Sequence, residues 1–420
     1  QLGSQPRALL ITAAALGGAV FLPGFPKIAL IVIAMGLASM GYVLQQSKDD
    51  DAARVKSEEK EAAMKEHKPE AVLSLTQVDP LEVEIGYSLI PLVDPEQGGT
   101  LLDRITNIRK RSAMEMGLIV PPIRIRDNME LEPAEYSVLI KGVEMGSGKL
   151  EVGKLMAMNP GDVEDKISGN EFIEPVFGLS AIWIDTDDRD VAEKKGYTVV
   201  DCPTIIATHL TEIIKRHADE ILGRQEVQQL IDGLRNDYPA VINELVGEKK
   251  MSLGEIQRVL QNLLRERVSI RNMVTILETL SSYVNYTKDP GLLTEYVRVA
   301  LARQICRDYI DGNSELWSIT VDPEIETVIR SSIHDDPIEG QVLGLDPETH
   351  NIIVNAMIDA YTKAKGSIQM PVFLVSPAIR SVVFALLERE LPDPVVLSYN
   401  EISPNVKVNV ITSALISTAA

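Results

Sequence analysis

The pattern of apolar and polar positions divides the chain into blocks. Two apolar runs come first, residues 9–22 and 28–44, separated by PGFPK at 23–27. The second run has only Gly, Ser and Tyr as mild polar entries and approaches the roughly 20 residues needed to cross a bilayer core. The pair predicts a transmembrane helical hairpin over residues 1–46. A signal peptide fits less well, because there are two runs and an acidic stretch comes after them. A buried hairpin of a soluble domain is the other alternative. The absent initiator Met and the short first run lead to the expectation of a C-terminal piece of a longer membrane protein. Lys48, Arg54 and Lys56 after the second run favour the cytoplasmic side for the rest of the chain.

Residues 47–77 are rich in charge and Ala and poor in large apolar side chains, which predicts an acidic, partly helical linker. Val72, Leu73 and Leu75 near its end form a small apolar cluster, available to the same subunit or to a neighbour. Alternation in VDPLEVEIGYSLIPLVD (78–94) predicts strands. Leu101, Leu102, Ile105, Ile108 and Met114 recur at helical spacing, with Gly117 as the stop. IVPPIRIRDN (119–128) suits an edge strand, and 136–159 reads as strand, Gly-rich turn, strand. These pieces, 78–152 with 202–223, form a first α+β subdomain in which 204–223 is one long helix ended by Gly223. Residues 153–201 break the pattern and predict a small inserted subdomain of short strands with one short helix.

The helical period then persists over residues 224–303. Ser252 and Glu255 have the spacing of a capping box, and Leu253, Ile256, Leu260, Leu263 and Leu264 give the buried stripe. Pro290 stands where a last helix begins and its missing N–H costs little. Residues 304–420 alternate strand and helix, an α/β layer arrangement. The predicted class is therefore α+β multidomain: membrane hairpin, linker and four subdomains. There is no solenoid repeat.

Composition adds limits. Among 420 residues, 45% are hydrophobic and 24% charged, which is globular, and 5% are aromatic, so the core is mostly Leu, Ile, Val and Ala. The formal charge of −20 opposes nucleic-acid binding and suits basic protein partners. The basic run Arg109–Arg111 reads as a solvated helix face. Helices over 252–268 and 269–287 imitate a DNA-reading pair through Arg258, Arg265, Arg267 and Arg271, but the acidity around them disfavours phosphate neutralisation. Cys202 and Cys306 stand far apart without a CxxC, which argues against a disulfide framework or a zinc site and for a reducing compartment.

Catalytic signals are weak. GVEMGSGKL (142–150) imitates a phosphate loop, yet Val143 stands where the first Gly belongs and Leu150 where the magnesium-binding hydroxyl belongs. Its flanks read as strands, so a hairpin turn is the better reading. His209 and His217 are eight apart on one helix, too far for a helical metal pair; His67, His334 and His350 have no nucleophile in a recognisable elbow. Asp185, Asp187 and Asp188 read as solvated turn acids. Together these features predict a membrane-tethered, non-enzymatic interaction scaffold with no cofactor. A nucleotide-binding enzyme using the GSGK turn is the rival from another class.

IEPVFGLSAIWI (173–184) holds Phe177 and Trp183, in a chain with six Phe and two Trp. Its end, 181–184, reads as a core strand. Glu174 and Phe177 precede Gly178, where the chain can turn and expose a ring.

Several long phrases resemble the export-gate family shared by flagella and virulence type III secretion systems. They are GYSLIPLVD, IRIRDNMELEPAEYSVLIKGVEMG, FGLSAIWI, TIIATHLTEIIKRHADEILGRQEVQQLID, VSIRNMVTILETL and LSYNEI, spread over essentially the whole chain. RDNMELEPAEY with the following KG is closer to the flagellar branch; a virulence export gate is the alternative. The resemblance implies a bacterial inner-membrane protein with a cytoplasmic C-terminal half of four subdomains, assembled into a typically nonameric ring. It implies no hydrolytic activity. Implied partners are flagellar export chaperones with their substrates, other membrane export-gate subunits, and the secretion ATPase with its stalk-like protein. The ring would pass substrates to a gate driven by the proton-motive force. The family's chaperone pocket corresponds to Glu174, Phe177, Val200 and Thr208. The acid departs from the family pattern, which has Asp where this chain has Glu174, with the carboxylate expected to pair a basic residue or a polar backbone group at the pocket rim.

Overall fold

The computed structural model describes residue 35 and residues 78–415, except 162, 164, 166, 248–249, 337–339 and 367–369. The expected membrane hairpin and linker lie outside the described residues, apart from Met35. No described helix is long and apolar enough to cross a membrane. Contacts divide the chain into residues 1–78 and 79–420; the fold below is that of the second unit, a mixed α+β body.

The first sheet has the order β2-β1-β3-β4. Its centre is β1 (Leu81–Ile85), with β2 (Arg124–Asp127) parallel at one edge and β3 (Glu135–Ile140) antiparallel on the other side, followed by β4 (Val143–Lys149). Leu81, Val83, Ile85, Val138 and Ile140 are buried. Helix α1 (Leu101–Glu115) ends as expected, with Gly117 at φ +74°. The strand expected over 78–94 stops at Ile85: Tyr87–Leu89 and Ile90–Val93 are helical turns. Leu89, Leu92 and Val93 have the spacing of a helical face, and Pro91 sits in the first turn, where Pro is tolerated.

The Gly-rich stretch is also corrected. The β3–β4 turn is made by Lys141 and Gly142, both at positive φ, as a tight hairpin requires. Gly146 and Gly148 lie within β4 instead. A Cβ on Gly146 would stand 2.8 Å from His209 Nε2, and one on Gly148 2.8 Å from the Tyr136 ring. These glycines admit side chains packed flat on the strand; they do not form a phosphate cradle. Lys149 is paired with Glu132.

The second sheet, order β6-β7-β5-β8, is antiparallel and comprises β5 (Leu155–Met158), β6 (Asn170–Ile173), β7 (Ser180–Ile184) and β8 (Thr198–Asp201). Strand alternation sends Met156, Ala181, Trp183, Phe172 and Val200 to the main core and Leu155, Ala157, Ile182, Ile184 and Val199 to a small second core. Helix α2 (Arg189–Lys194) contributes Ala192 to the latter. Strand β8 runs straight into α3 (Cys202–Arg216), whose N-cap Asp201 accepts from the Thr204 amide. The expected single helix over 204–223 breaks at His217 and resumes over Ala218–Ile221.

Helices α4 (Arg224–Leu234), α5 (Leu253–Arg265), α6 (Met273–Tyr283), α7 (Pro290–Ala300) and α8 (Ala302–Arg307) extend the main core. The capping box forms: Ser252 N–H donates to Glu255 Oε2 at 2.6 Å and Glu255 N–H to Ser252 Oγ at 3.3 Å. A parallel sheet comes next, β13-β12-β9-β14, made of β9 (Glu315–Val321), β12 (Val372–Val375), β13 (Val395–Ser398) and β14 (Lys407–Ala414). One face gives Leu316, Val372, Leu374 and Leu397 to the main core. Helices α9 (Pro323–Ser331), α10 (Pro347–Lys365) and α11 (Arg380–Leu387) cover Ile319, Phe373, Val375 and Val396 on the other. A short hairpin joins α9 to α10: β10 (Ile333–Asp336) and β11 (Gly340–Leu343).

Candidate functional site

Strands β6 and β7 form a hairpin whose last register pair is Ile173 with Ser180. The loop between them is residues 174–179, closed by the Glu174 N–H donating to the Leu179 carbonyl at 2.9 Å. Gly178 takes φ +68° there, with no atom within 4 Å of the position its Cβ would occupy. This is the left-handed conformation that glycine adopts freely.

The loop separates its side chains by burial. Glu174 is only 1% exposed and Val176 is buried beside it, whereas Phe177 is 56%, Ile173 66% and Leu179 53% exposed. The Glu174 carboxylate turns inward. It accepts from Val176 N–H at 2.7 Å, Phe177 N–H at 2.6 Å and Leu179 N–H at 3.1 Å. Of the expected partners, a basic residue or a polar backbone group, the acid has the second here: its oxygens accept from backbone amides of its own loop. Buried ions need such donors to offset lost hydration.

Beneath the loop, the Tyr136 hydroxyl and His209 Nδ1 form a buried 2.8 Å hydrogen bond. Burial and the neighbouring Glu174 charge push the Tyr136 phenol up. Burial pushes His209 down, with Glu174 opposing, so its imidazole is neutral near pH 7. The Glu174 charge is thus felt at the Tyr136–His209 pair, on the His209 turn of α3. Thr208 is the preceding residue of that helix and is exposed, its Oγ1 donating to the Thr204 carbonyl at 2.8 Å. Val200 is half-buried in β8, opposite Met156, which stands opposite Trp183. Strand β5 intervenes between β7 and β8, so Val200 is about 10 Å from β7 across the sheet.

Sequence reasoning identified Phe177 but missed Ile173 and Leu179, which flank the loop at the hairpin's end. Their signal was the register of a hairpin centred on Val176 and Phe177. It also missed Tyr136 and His209 as the polar pair under the loop. Phe172 stacks on Trp183 with centroids 4.5 Å apart, which fixes the hairpin stem to the core.

Other sites offer less. A cleft of about 730 Å³ lies between α5, α7 and α11, where Arg265 pairs with Glu388 and Arg380 with Glu266 and Glu295. His217 pairs with Glu220 at 2.8 Å. No metal-ligating group of three or more His, Cys, Asp or Glu occurs among the described residues.

Comparison with known proteins agrees with this fold. The chain is 42% identical over 393 residues to flagellar biosynthesis protein FlhA of Borreliella burgdorferi, covering 93% of this chain and 56% of that one. It is 42% identical over 412 residues to FlhA of Bacillus subtilis, covering 97% and 60%. The chain thus spans 56–60% of the length of these relatives. Among solved structures, the Chlamydia pneumoniae CdsV protein superposes with TM-score 0.71 at 27% identity, covering 81% of this chain and 98% of that one. The same protein is solved in complex with CdsO. Nonameric EPEC SctV-C shares the fold at TM-score 0.64 and 23% identity, covering 80% of this chain and 99% of that one. The model of the FHIPEP family matches residues 1–407. The chain is therefore a member of the FHIPEP family.

Proposed function

We propose that this chain is the C-terminal part of a flagellar export-gate subunit, and that the β6–β7 hairpin docks export chaperones with their substrates. The observation that carries the reading is the exposed Phe177, flanked by Ile173 and Leu179, on a loop fastened by a buried acid. Contiguous exposed apolar groups on an otherwise acidic protein mark a protein-binding surface. A chaperone helix laid across the hairpin end toward α3 would bury Phe177 as its anchor, with Thr208 and Val200 further along its path. The flagellar branch is favoured over the virulence branch by the identity of 42% to FlhA proteins against 27% to CdsV.

The wider reading rests on the relatives. Residues 1–46 anchor the subunit in the inner membrane, residues 47–77 tether it, and residues 78–420 form four cytoplasmic subdomains. Subunits assemble into a ring, as the nonameric EPEC SctV-C does. A stalk-like protein of the secretion ATPase contacts the ring, as CdsO contacts CdsV. The assembly hands substrates to a gate driven by the proton-motive force and performs no hydrolysis itself.

Titration calorimetry tests the docking reading, with the full chain in lipid nanodiscs and a purified flagellar chaperone–substrate complex as titrant. Removing a buried Phe side chain forfeits about 1.5–3 kcal/mol, so Phe177→Ala should weaken binding roughly 10- to 100-fold. Unchanged affinity in a folded Phe177→Ala protein would sink the assignment.

A further inference from the structure

The acid and the aromatic of this loop have different jobs. Glu174 lies only three residues from Phe177 in the chain, yet its side chain is 1% exposed. Both carboxylate oxygens are committed: Oε2 accepts from Val176 N–H, and Oε1 from Phe177 N–H and Leu179 N–H. The three donors belong to one loop. Together they fix where Phe177 and Leu179 leave the backbone. Without them, the loop would keep only the backbone bond that closes it, from Glu174 N–H to the Leu179 carbonyl, and the three amides would lose their acceptor.

We propose that Glu174 is a positioning residue: its carboxylate presets the turn that displays Phe177 and Leu179, and it makes no contact with the docked partner. The inference rests on the docking reading for its consequence but not for its structural half. Preorganisation gives affinity by removing the ordering cost of a loop at binding. A bond to a charged acceptor contributes more than a neutral one, so replacing the carboxylate with a neutral amide should loosen the turn.

Three variants of the full chain separate the roles: Glu174→Gln, Phe177→Ala and the double variant. Glu174→Gln keeps the volume and removes the charge, and Glu174→Ala is a second route. Amide hydrogen exchange of Val176, Phe177 and Leu179, read by mass spectrometry without any partner, should quicken at least about tenfold in Glu174→Gln. The chaperone–substrate complex is the binding probe. Glu174→Gln should weaken it about tenfold, and the double variant should lose less than the two single losses added together, because much of the effect of Glu174 runs through the Phe177 ring. The loss should be the same at low and high salt, since no intermolecular ion pair is removed.

Unchanged exchange at the three amides overturns the proposal. So do additive losses in the double variant, or a loss confined to low salt, because either means that Glu174 touches the partner. If Phe177→Ala binds as wild type, the docking reading fails while the exchange measurement still decides the role of Glu174 in the loop.

Discussion

Arg380 is the largest fully buried side chain among the described residues. It is fully buried at the start of α11. Its Nε donates to Glu295 Oε2 at 2.6 Å and its Nη2 to Glu266 Oε1 at 2.9 Å, with further short bonds to both acids. Glu266, at the end of α5, also pairs with Arg298 of α7 at 2.8 Å, and Arg298 reaches Glu401 at 2.7 Å. Glu401 in turn accepts from Ser398 N–H and Oγ. The chain of charges joins the helical region to the parallel sheet. Arg380→Ala leaves one arginine among one buried and two partly buried carboxylates, and breaking such a network by removing one partner costs about 3–5 kcal/mol. At about 2.1 cal/mol/K of unfolding entropy per residue in a body of this size, the expected fall in melting temperature is about 4–7 °C.

Acid adds a second reading of the same network. Burial alone would raise Glu266, but Arg298 and Arg380 outweigh it and hold the carboxyl below the usual range. A depressed folded pKa gives stability that is complete above the unfolded value, about 4.3 for Glu, and is lost as pH falls through the folded one. Differential scanning calorimetry of wild type and Arg380→Ala from about pH 7 to about pH 3 checks both points. The variant should melt lower at neutral pH and lose less on acidification. A melting shift under about 2 °C at neutral pH, or identical acid slopes, would refute the account of the network.

Two glycine substitutions should behave in opposite ways. Gly146→Ala drives a methyl into His209 and Ile213, whose nearest atoms lie 2.8 and 3.0 Å from the new Cβ, and His209 is tied to Tyr136. Overpacking there should cost about 1–3 kcal/mol by chemical denaturation. Gly178→Ala meets open space, so it should impose only backbone strain of about 1–2 kcal/mol, confined to the loop. Its effect should appear as faster amide exchange at 174–179 and weaker partner binding, with the main unfolding transition unmoved.

Much of the fold was legible because period and punctuation agree locally. The stripe of α5, the Ser252–Glu255 cap, the stop at Gly117 and the short apolar strands set between helices near the C-terminus all arise from neighbouring residues. Where tertiary packing decided, the sequence misled. GSG looks like a turn, but its glycines accommodate Tyr136 and His209, which arrive from elsewhere in the chain. GYSLIPLVD continues an alternating strand on paper, yet Leu89, Leu92 and Val93 serve a helical turn. His217 interrupts a helix whose apolar stripe runs on past it. At the site, the aromatic was legible from its rarity and its place before Gly178. The inward turn of Glu174 was not, because an acid near an exposed ring looks the same in sequence whether it faces the partner or its own amides.

The most direct test of the central claim is photo-crosslinking from the hairpin tip in flagellated cells. A photoreactive phenylalanine replaces Phe177 in one strain and Tyr286, which is 85% exposed on the helical region, in another. Docking at the hairpin tip should give an adduct with an export chaperone from position 177 and none from position 286. An adduct from Tyr286 alone, or equal yields from both, would contradict it.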